Sequence, residues 1–120
     1  MRTALCTLFA AAVLTVSATA VFASASNTPT NYQPDPALKT ESVGQLQARI
    51  REACGVTQAK LQGVSATTLT RKCDCYAGRT LRSLSPDEVQ SYRDTGVFND
   101  AVRAKALASL DSCKLQRPSM

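Results

Sequence analysis

The sequence predicts an all-α fold: a small, disulfide-stapled bundle of about four short helices that follows a signal peptide and a disordered leader. Apolar residues recur at the three- and four-residue spacing of a helix face in several segments, and no run alternates as a half-buried strand does. Four of the five cysteines lie in the C-terminal two thirds of the 120-residue chain. This length allows one domain.

The first 25 residues have the pattern of a cleaved signal peptide. Arg2 supplies a positive charge, residues 4–16 are uncharged and mostly apolar, and small residues follow as far as Ala25. Cleavage after Ala25 is preferred, with Ala20 and Ala23 as alternatives. An uncleaved anchor is the competing interpretation, but the apolar run is marginal in length and no basic cluster follows it. We therefore expect a periplasmic or secreted protein without stable membrane insertion after cleavage.

Residues 26–41 contain three prolines among asparagines and threonines and have no apolar period, which predicts a disordered leader. The helical domain is expected over residues 42–115, and residues 116–120 are expected to fray. Within the domain, Ser42 and Gln45 fit a capping box. The first helix is expected from this box to Cys54, with Gly55 as the residue that ends it.

The second helix is expected over residues 66–83, because its apolar residues recur on one helical face. The third begins at Ser85-Pro86, which combine an N-cap serine with a proline in the first turn, and it stops at Gly96. The fourth begins near Asn99 or Asp100 and is expected to continue to about Leu115.

The cysteines predict a disulfide framework, because an even number in a short exported chain is typical of such proteins. The four are Cys54, Cys73, Cys75 and Cys113. Residues two apart on a helix do not face each other, so a bond between Cys73 and Cys75 is excluded. Cys54 returns near the start of the second helix and Cys113 lies toward its end. This favours the pairs 54–73 and 75–113 and leaves 54–75 with 73–113 as the alternative.

The same cysteines support a second interpretation, in which Cys73 and Cys75 exchange disulfides or carry a metal as thiolates. An oxidising compartment favours structural disulfides instead. The chain has no histidine and only two methionines to assist a metal site. No metal and no cofactor are therefore expected.

Catalysis is not expected. The absence of histidine removes the Ser-His-Asp and Cys-His arrangements, no Ser-x-x-Lys signature occurs, and the five glycines are scattered. Asp87 and Glu88 lie in a predicted first helical turn, where carboxylates favour the helix dipole. The sequence thus indicates a protein that is not an enzyme.

The charge is mildly positive, with 14 basic against 9 acidic residues. Export argues against a nucleic-acid partner and favours another exported or envelope protein. The leading hypothesis is a non-catalytic protein-binding factor, such as an inhibitor, an immunity protein or an envelope accessory protein. A small envelope stress chaperone is a third hypothesis, beside the thiol protein. The candidate binding surface consists of basic residues of the second and fourth helices: Arg71, Arg79, Arg82, Arg103 and Lys105.

Overall fold

The computed structural model describes residues 32–119, so the predicted signal peptide and the start of the leader lie outside the described residues. The described chain is all-helical and compact, which confirms the predicted fold class, and it contains no strand. Its four α-helices are α1 (Val43–Gln62), α2 (Thr70–Ser83), α3 (Pro86–Thr95) and α4 (Asp100–Ser112). Two 3-10 helices, Pro36–Lys39 and Ala66–Leu69, precede α1 and α2.

Helix α1 is longer than the sequence predicted. It begins at the expected capping box on Ser42 but continues through Gly55 and ends at Gly63, which adopts the left-handed region at φ 64°. Gly55 is buried, and a Cβ placed there would lie 3.7 Å from the Cβ of Ala66. The prediction that Gly55 ends the helix was wrong: Gly55 lies within α1, and the left-handed residue that ends the helix is Gly63.

The other helix boundaries lie closer to expectation. The first turn predicted for the second helix is a 3-10 helix, with α2 beginning at Thr70. Helix α3 has the predicted capping box and ends at Gly96, again in the left-handed region at φ 69°. Helix α4 ends at Ser112 rather than near Leu115.

The end of α4 is a Schellman turn without glycine. Lys114 takes the left-handed conformation at φ 56°, and the Leu115 N–H donates to the Leu110 carbonyl at 3.0 Å. Leu115 and Leu110 are both buried in the same apolar cluster. A hydrophobic contact between these two positions usually accompanies a Schellman turn. Here it stabilises the left-handed conformation of Lys114, which lysine rarely adopts.

The leader is ordered where the structure describes it, contrary to the predicted disorder. Leu38 is only 3% exposed and packs in the core. Arg49 of α1 forms ion pairs with Asp35 at 3.0 Å and with Glu41. The Arg93 guanidinium of α3 donates to the carbonyl of Leu38 at 3.2 Å. One buried leucine and two arginines therefore fasten this segment to the domain.

The tail is also held, so the prediction that residues 116–120 fray was wrong for its first residues. Gln116 is hydrogen-bonded through its backbone to the side chain of Gln58. Arg117 pairs with Asp111 of α4.

The core consists of two apolar clusters that meet at Tyr76, a residue packed against both. The first cluster joins the leader to α1, α2 and α3, and includes Leu38, Leu46 and Tyr92. The second joins α1, α2 and α4 and contains three of the bonded cysteines. Among residues 32–119, none of the helices has the length and apolar character that a membrane crossing requires.

Candidate binding surfaces

Two disulfides anchor α2 on both sides. Cys54 of α1 is bonded to Cys73, with their Cα atoms 5.7 Å apart, and Cys75 is bonded to Cys113 beyond α4, with a Cα separation of 5.9 Å. This is the pairing that the helix geometry favoured. Cys73 and Cys75 are two residues apart and therefore point in different directions from α2. Because one is bonded to α1 and the other to the end of α4, the two bonds fix both the position of α2 and its rotation about its own axis.

Four basic residues of α2 are exposed on one side of the helix. They lie within an arc of about 100° on the helical wheel and span about 16 Å along the axis, and the half-buried Cys75 lies between them within that arc. The opposite side is buried and carries Cys73, Ala77, Thr80 and Leu81. We name the exposed side the α2 cationic face; it consists of Arg71, Lys72, Arg79 and Arg82.

None of these four cations forms an ion pair with a carboxylate of the described chain. The acidic residue of α2, Asp74, is itself paired with Arg51 of α1 at 3.3 Å. The positive potential of the α2 cationic face is therefore not neutralised from within residues 32–119, whereas most other arginines of this region are paired.

The Arg82 side chain lies close to Gly78. A Cβ at Gly78 would be 3.1 Å from the Arg82 Nη1 atom and 3.5 Å from the side-chain nitrogen of Gln47. The guanidinium thus lies close over the helix backbone beside α1, in a position that a larger residue at 78 would obstruct.

A groove of about 600 Å³ separates α2 from α4 and continues the cationic face. Arg79 and Arg82 line one side, with Lys105 and several serines among the other lining residues. Lys105 donates to Glu88 of α3 at 2.6 Å, and this hydrogen bond, with a second from the Ser85 backbone, lowers the pKa of the Glu88 carboxyl. The charge of Lys105 is therefore largely offset by its own protein.

The structure brings together only part of the surface predicted from sequence. Arg71, Arg79 and Arg82 share the α2 cationic face. Arg103 lies about 200° around α4 from Lys105 and pairs with Asp100 at 3.7 Å, so the two cannot belong to one surface. Lys72 was missed, although a helical wheel of the predicted second helix places it beside Arg71.

A second site, which the sequence did not indicate, is an apolar pocket of about 260 Å³ where the two core clusters meet. Tyr76, Tyr92 and Phe98 line it together with Ile50 and Leu110. The rings of Tyr92 and Phe98 are 5.0 Å apart at a tilt of 51°. Burial raises the pKa of Tyr76 and of Tyr92, so their hydroxyls stay protonated at neutral pH.

Among residues 32–119, no group of three or more His, Cys, Asp or Glu side chains is arranged so that it could hold a metal ion. Comparison with models of protein families, with curated proteins and with solved structures finds no match to this chain. The functional inference therefore depends on the α2 cationic face and the apolar pocket.

Proposed function

We propose that this chain is an exported, non-catalytic binding factor that uses the α2 cationic face to hold an acidic surface of another exported or envelope protein. The observation that carries the proposal is a row of four exposed cations, none paired with a carboxylate of the described chain, on a helix that two disulfides hold in place. An inhibitor, an immunity protein and an envelope accessory protein all fit this mode of action.

The disulfides matter because binding costs less when the surface is already ordered. Cys73 lies on the buried side of α2 and is bonded to Cys54 of α1, whereas the half-buried Cys75 lies on the side of the cations and is bonded to Cys113 just beyond α4. The backbone beneath Arg71, Arg79 and Arg82 therefore needs no rearrangement when a partner arrives. Only the side chains lose freedom in the complex.

Electrostatics predicts the behaviour of such a complex. Opposite charges accelerate association, and this acceleration decreases as salt screens them over a Debye length of about 8 Å at physiological ionic strength. An acidic partner is favoured because a basic one would face uncompensated repulsion. Affinity should thus fall steeply with added salt.

The test is affinity capture from the exported-protein fraction of the source organism, followed by binding measurements with the purified captured protein. We expect the double reversal Arg79→Glu with Arg82→Glu to weaken binding at least tenfold and to flatten its salt dependence. The matched control is Lys39→Glu with Lys60→Glu, which changes the net charge equally at two exposed lysines outside α2. The control should bind within about twofold of the parent chain.

Equal losses in the two double variants would contradict a localised site and attribute binding to net charge. No loss in either would overturn the α2 cationic face as the interface. A captured molecule that proved to be an anionic lipid or polysaccharide would likewise overturn the proposed class of partner.

The thiol hypothesis has less physical support. Disulfide exchange requires a thiolate to reach a sulfur atom. Cys73 is 1% exposed and Cys54 and Cys113 are each 6% exposed, so the partly buried Cys75 is the most accessible of the four. We expect the intact mass of the exported protein to show no alkylation before reduction. Alkylation of Cys73 and Cys75 without a reductant would instead favour thiol chemistry.

A further inference from the structure

We propose that the apolar pocket between α1 and the α3–α4 connection is a binding site for a small, uncharged aromatic molecule. This inference does not depend on the proposed function, because the pocket and the α2 cationic face share no residue. It concerns a different class of ligand and is tested without the protein partner.

The volume of the pocket is the first argument. Protein interiors are packed as tightly as organic crystals and contain few voids larger than a water molecule. An engineered apolar cavity of about 150 Å³ in another protein binds benzene. The pocket here, at about 260 Å³, exceeds that size and has room for one substituted ring or a fused pair.

The composition of the wall is the second argument. Residues 32–119 contain three tyrosines and one phenylalanine, and three of these four residues line this one pocket. Tyr76 comes from α2, Tyr92 from α3 and Phe98 from the following connection, so three segments converge on the same space. Aromatic walls offer offset-stacked and edge-to-face contacts, which favour an aromatic ligand over a purely aliphatic one.

Charge defines the ligand further. Among residues 32–119, no Lys, Arg, Asp or Glu side chain lines the pocket. A charged ligand would therefore lose its hydration without gaining an opposite charge, which is costly in an apolar site. Protonated phenol groups on Tyr76 and Tyr92 can donate to or accept from a neutral polar substituent.

The exposed residues that line the pocket lie on α1 and on the C-terminal tail. Ala53 and Thr57 are exposed residues of α1 on the pocket rim, one helical turn apart, and Pro118 of the tail also lines the pocket. The tail is held by Gln58, a buried residue that lines the same pocket. A ligand entering at this rim contacts exposed positions that can be enlarged without disturbing the core.

The probe for this site is 6-propionyl-2-(dimethylamino)naphthalene, an uncharged dye built on one fused pair of rings, whose fluorescence increases in surroundings less polar than water. We expect saturable enhancement with one dye per folded chain. Ala53→Phe and Thr57→Phe each place a ring at the rim and should reduce dye affinity at least fivefold. The control is Val56→Phe, which adds a ring to an exposed position of α1 that does not line the pocket, and it should leave affinity within twofold.

Competition tests the ligand class. Neutral p-cresol should displace the dye, whereas benzoate, which is of similar size but charged, should do so at least tenfold less well. Absence of saturable enhancement in the parent chain would overturn the site. Unchanged affinity in both rim variants, with their helical circular dichroism retained, would place the dye elsewhere, and equal displacement by p-cresol and benzoate would overturn the preference for an uncharged ligand.

Discussion

The side-chain amide of Gln58 pairs with the backbone of Gln116 in a reciprocal hydrogen-bonded contact. Its Nε2 donates to the Gln116 carbonyl at 2.6 Å, and its Oε1 accepts from the Gln116 N–H at 3.1 Å. Gln62 donates to the same Oε1 at 2.7 Å. Gln58 is 2% exposed, so its buried amide is satisfied by the tail and by its own helix. The C-terminal segment is thereby attached to α1 through a polar contact inside the protein.

Replacing Gln58 with methionine should release the tail. The substitution keeps the length of the side chain and removes both bonds to Gln116, which should lower the free energy of unfolding by about 1–3 kcal/mol. Urea denaturation measures the loss, and hydrogen exchange should show the Gln116 amide losing its protection. Gln62→Met is the matched control, because it leaves both bonds to Gln116 in place. A Gln116 amide that stayed equally protected in Gln58→Met would contradict this role.

Gly63 and Gly96 end α1 and α3 in the same left-handed conformation but differ in their surroundings. A Cβ at Gly63 meets no atom within 4 Å, whereas one at Gly96 overlaps the Tyr32 hydroxyl and lies 3.2 Å from Leu38 Cδ1. Gly63→Ala should cost about 1–2 kcal/mol of unfolding free energy, the backbone penalty alone. Gly96→Ala should cost more, because Leu38 is buried and must shift.

Thermal and urea unfolding of the two alanine variants side by side makes this comparison, with Gly63→Ala as the control for the backbone penalty. Equal losses would mean that the leader does not pack against Gly96 in solution. A larger loss in Gly63→Ala would contradict the ordering outright.

Local signals in the sequence were sufficient for the starts of α1, α3 and α4, and they reduced the possible disulfide pairings to two. Ser42 and Ser85 cap their helices as expected, because a capping box involves residues only three apart. The positions of Cys73 and Cys75 on opposite sides of one helix left few pairings. Capping boxes and the angle between two residues of one helix depend only on residues within one or two turns, so they can be read from the spacing of residues in the sequence.

Features that depend on distant residues were not predictable. Gly55 is a residue type that often ends helices, but α1 continues through it, and Gly55 is buried beside Ala66. Lys114 adopts a conformation typical of glycine because Leu115 is buried. The pocket lacks any sequence signal, since its walls come from segments far apart in the chain.

The candidate binding surface could be predicted where its residues lie on one helix and not where they lie on two. The cations of α2 share a face by simple periodicity. Lys105 is not an unpaired cation, because it forms an ion pair with Glu88 of α3. The spacing of residues within one helix does not indicate such a contact between two helices. Arg103 was placed on the surface by charge alone, without regard to its angle around α4.

The two disulfides should differ in their contribution to stability. Cys54–Cys73 joins residues 19 apart, and Cys75–Cys113 joins residues 38 apart. In the chain-entropy description each bond contributes about 2–4 kcal/mol, and doubling the loop adds about 0.6 kcal/mol. We expect the pair Cys75→Ala with Cys113→Ala to lose more unfolding free energy than Cys54→Ala with Cys73→Ala. Urea denaturation of both double variants, each the control for the other, decides; a greater loss for the shorter loop would contradict the entropic explanation.

The attachment of the leader should make stability depend on pH in the acid range. The pKa of Glu41 is lowered chiefly by its hydrogen bond from Arg49, and that of Asp35 by the Ala37 backbone N–H and then by Arg49. A carboxyl whose pKa is lower in the folded state binds fewer protons there than when unfolded. Its contribution is therefore complete above the unfolded values of 4.5 for Glu41 and 3.8 for Asp35, and it is lost as the pH falls through the lower folded values.

Glu41→Gln should therefore reduce the decline of unfolding free energy between about pH 5 and pH 3, because the variant has no proton to take up at this position. Urea denaturation across that range measures the slope. Glu52→Gln is the control, since Glu52 is an exposed carboxylate of α1 that forms no ion pair within residues 32–119, and its slope should match that of the parent chain. An unchanged slope in Glu41→Gln would show that the Arg49 contact does not hold the leader in solution, because a carboxylate stabilised by that contact must release its share of stability on protonation.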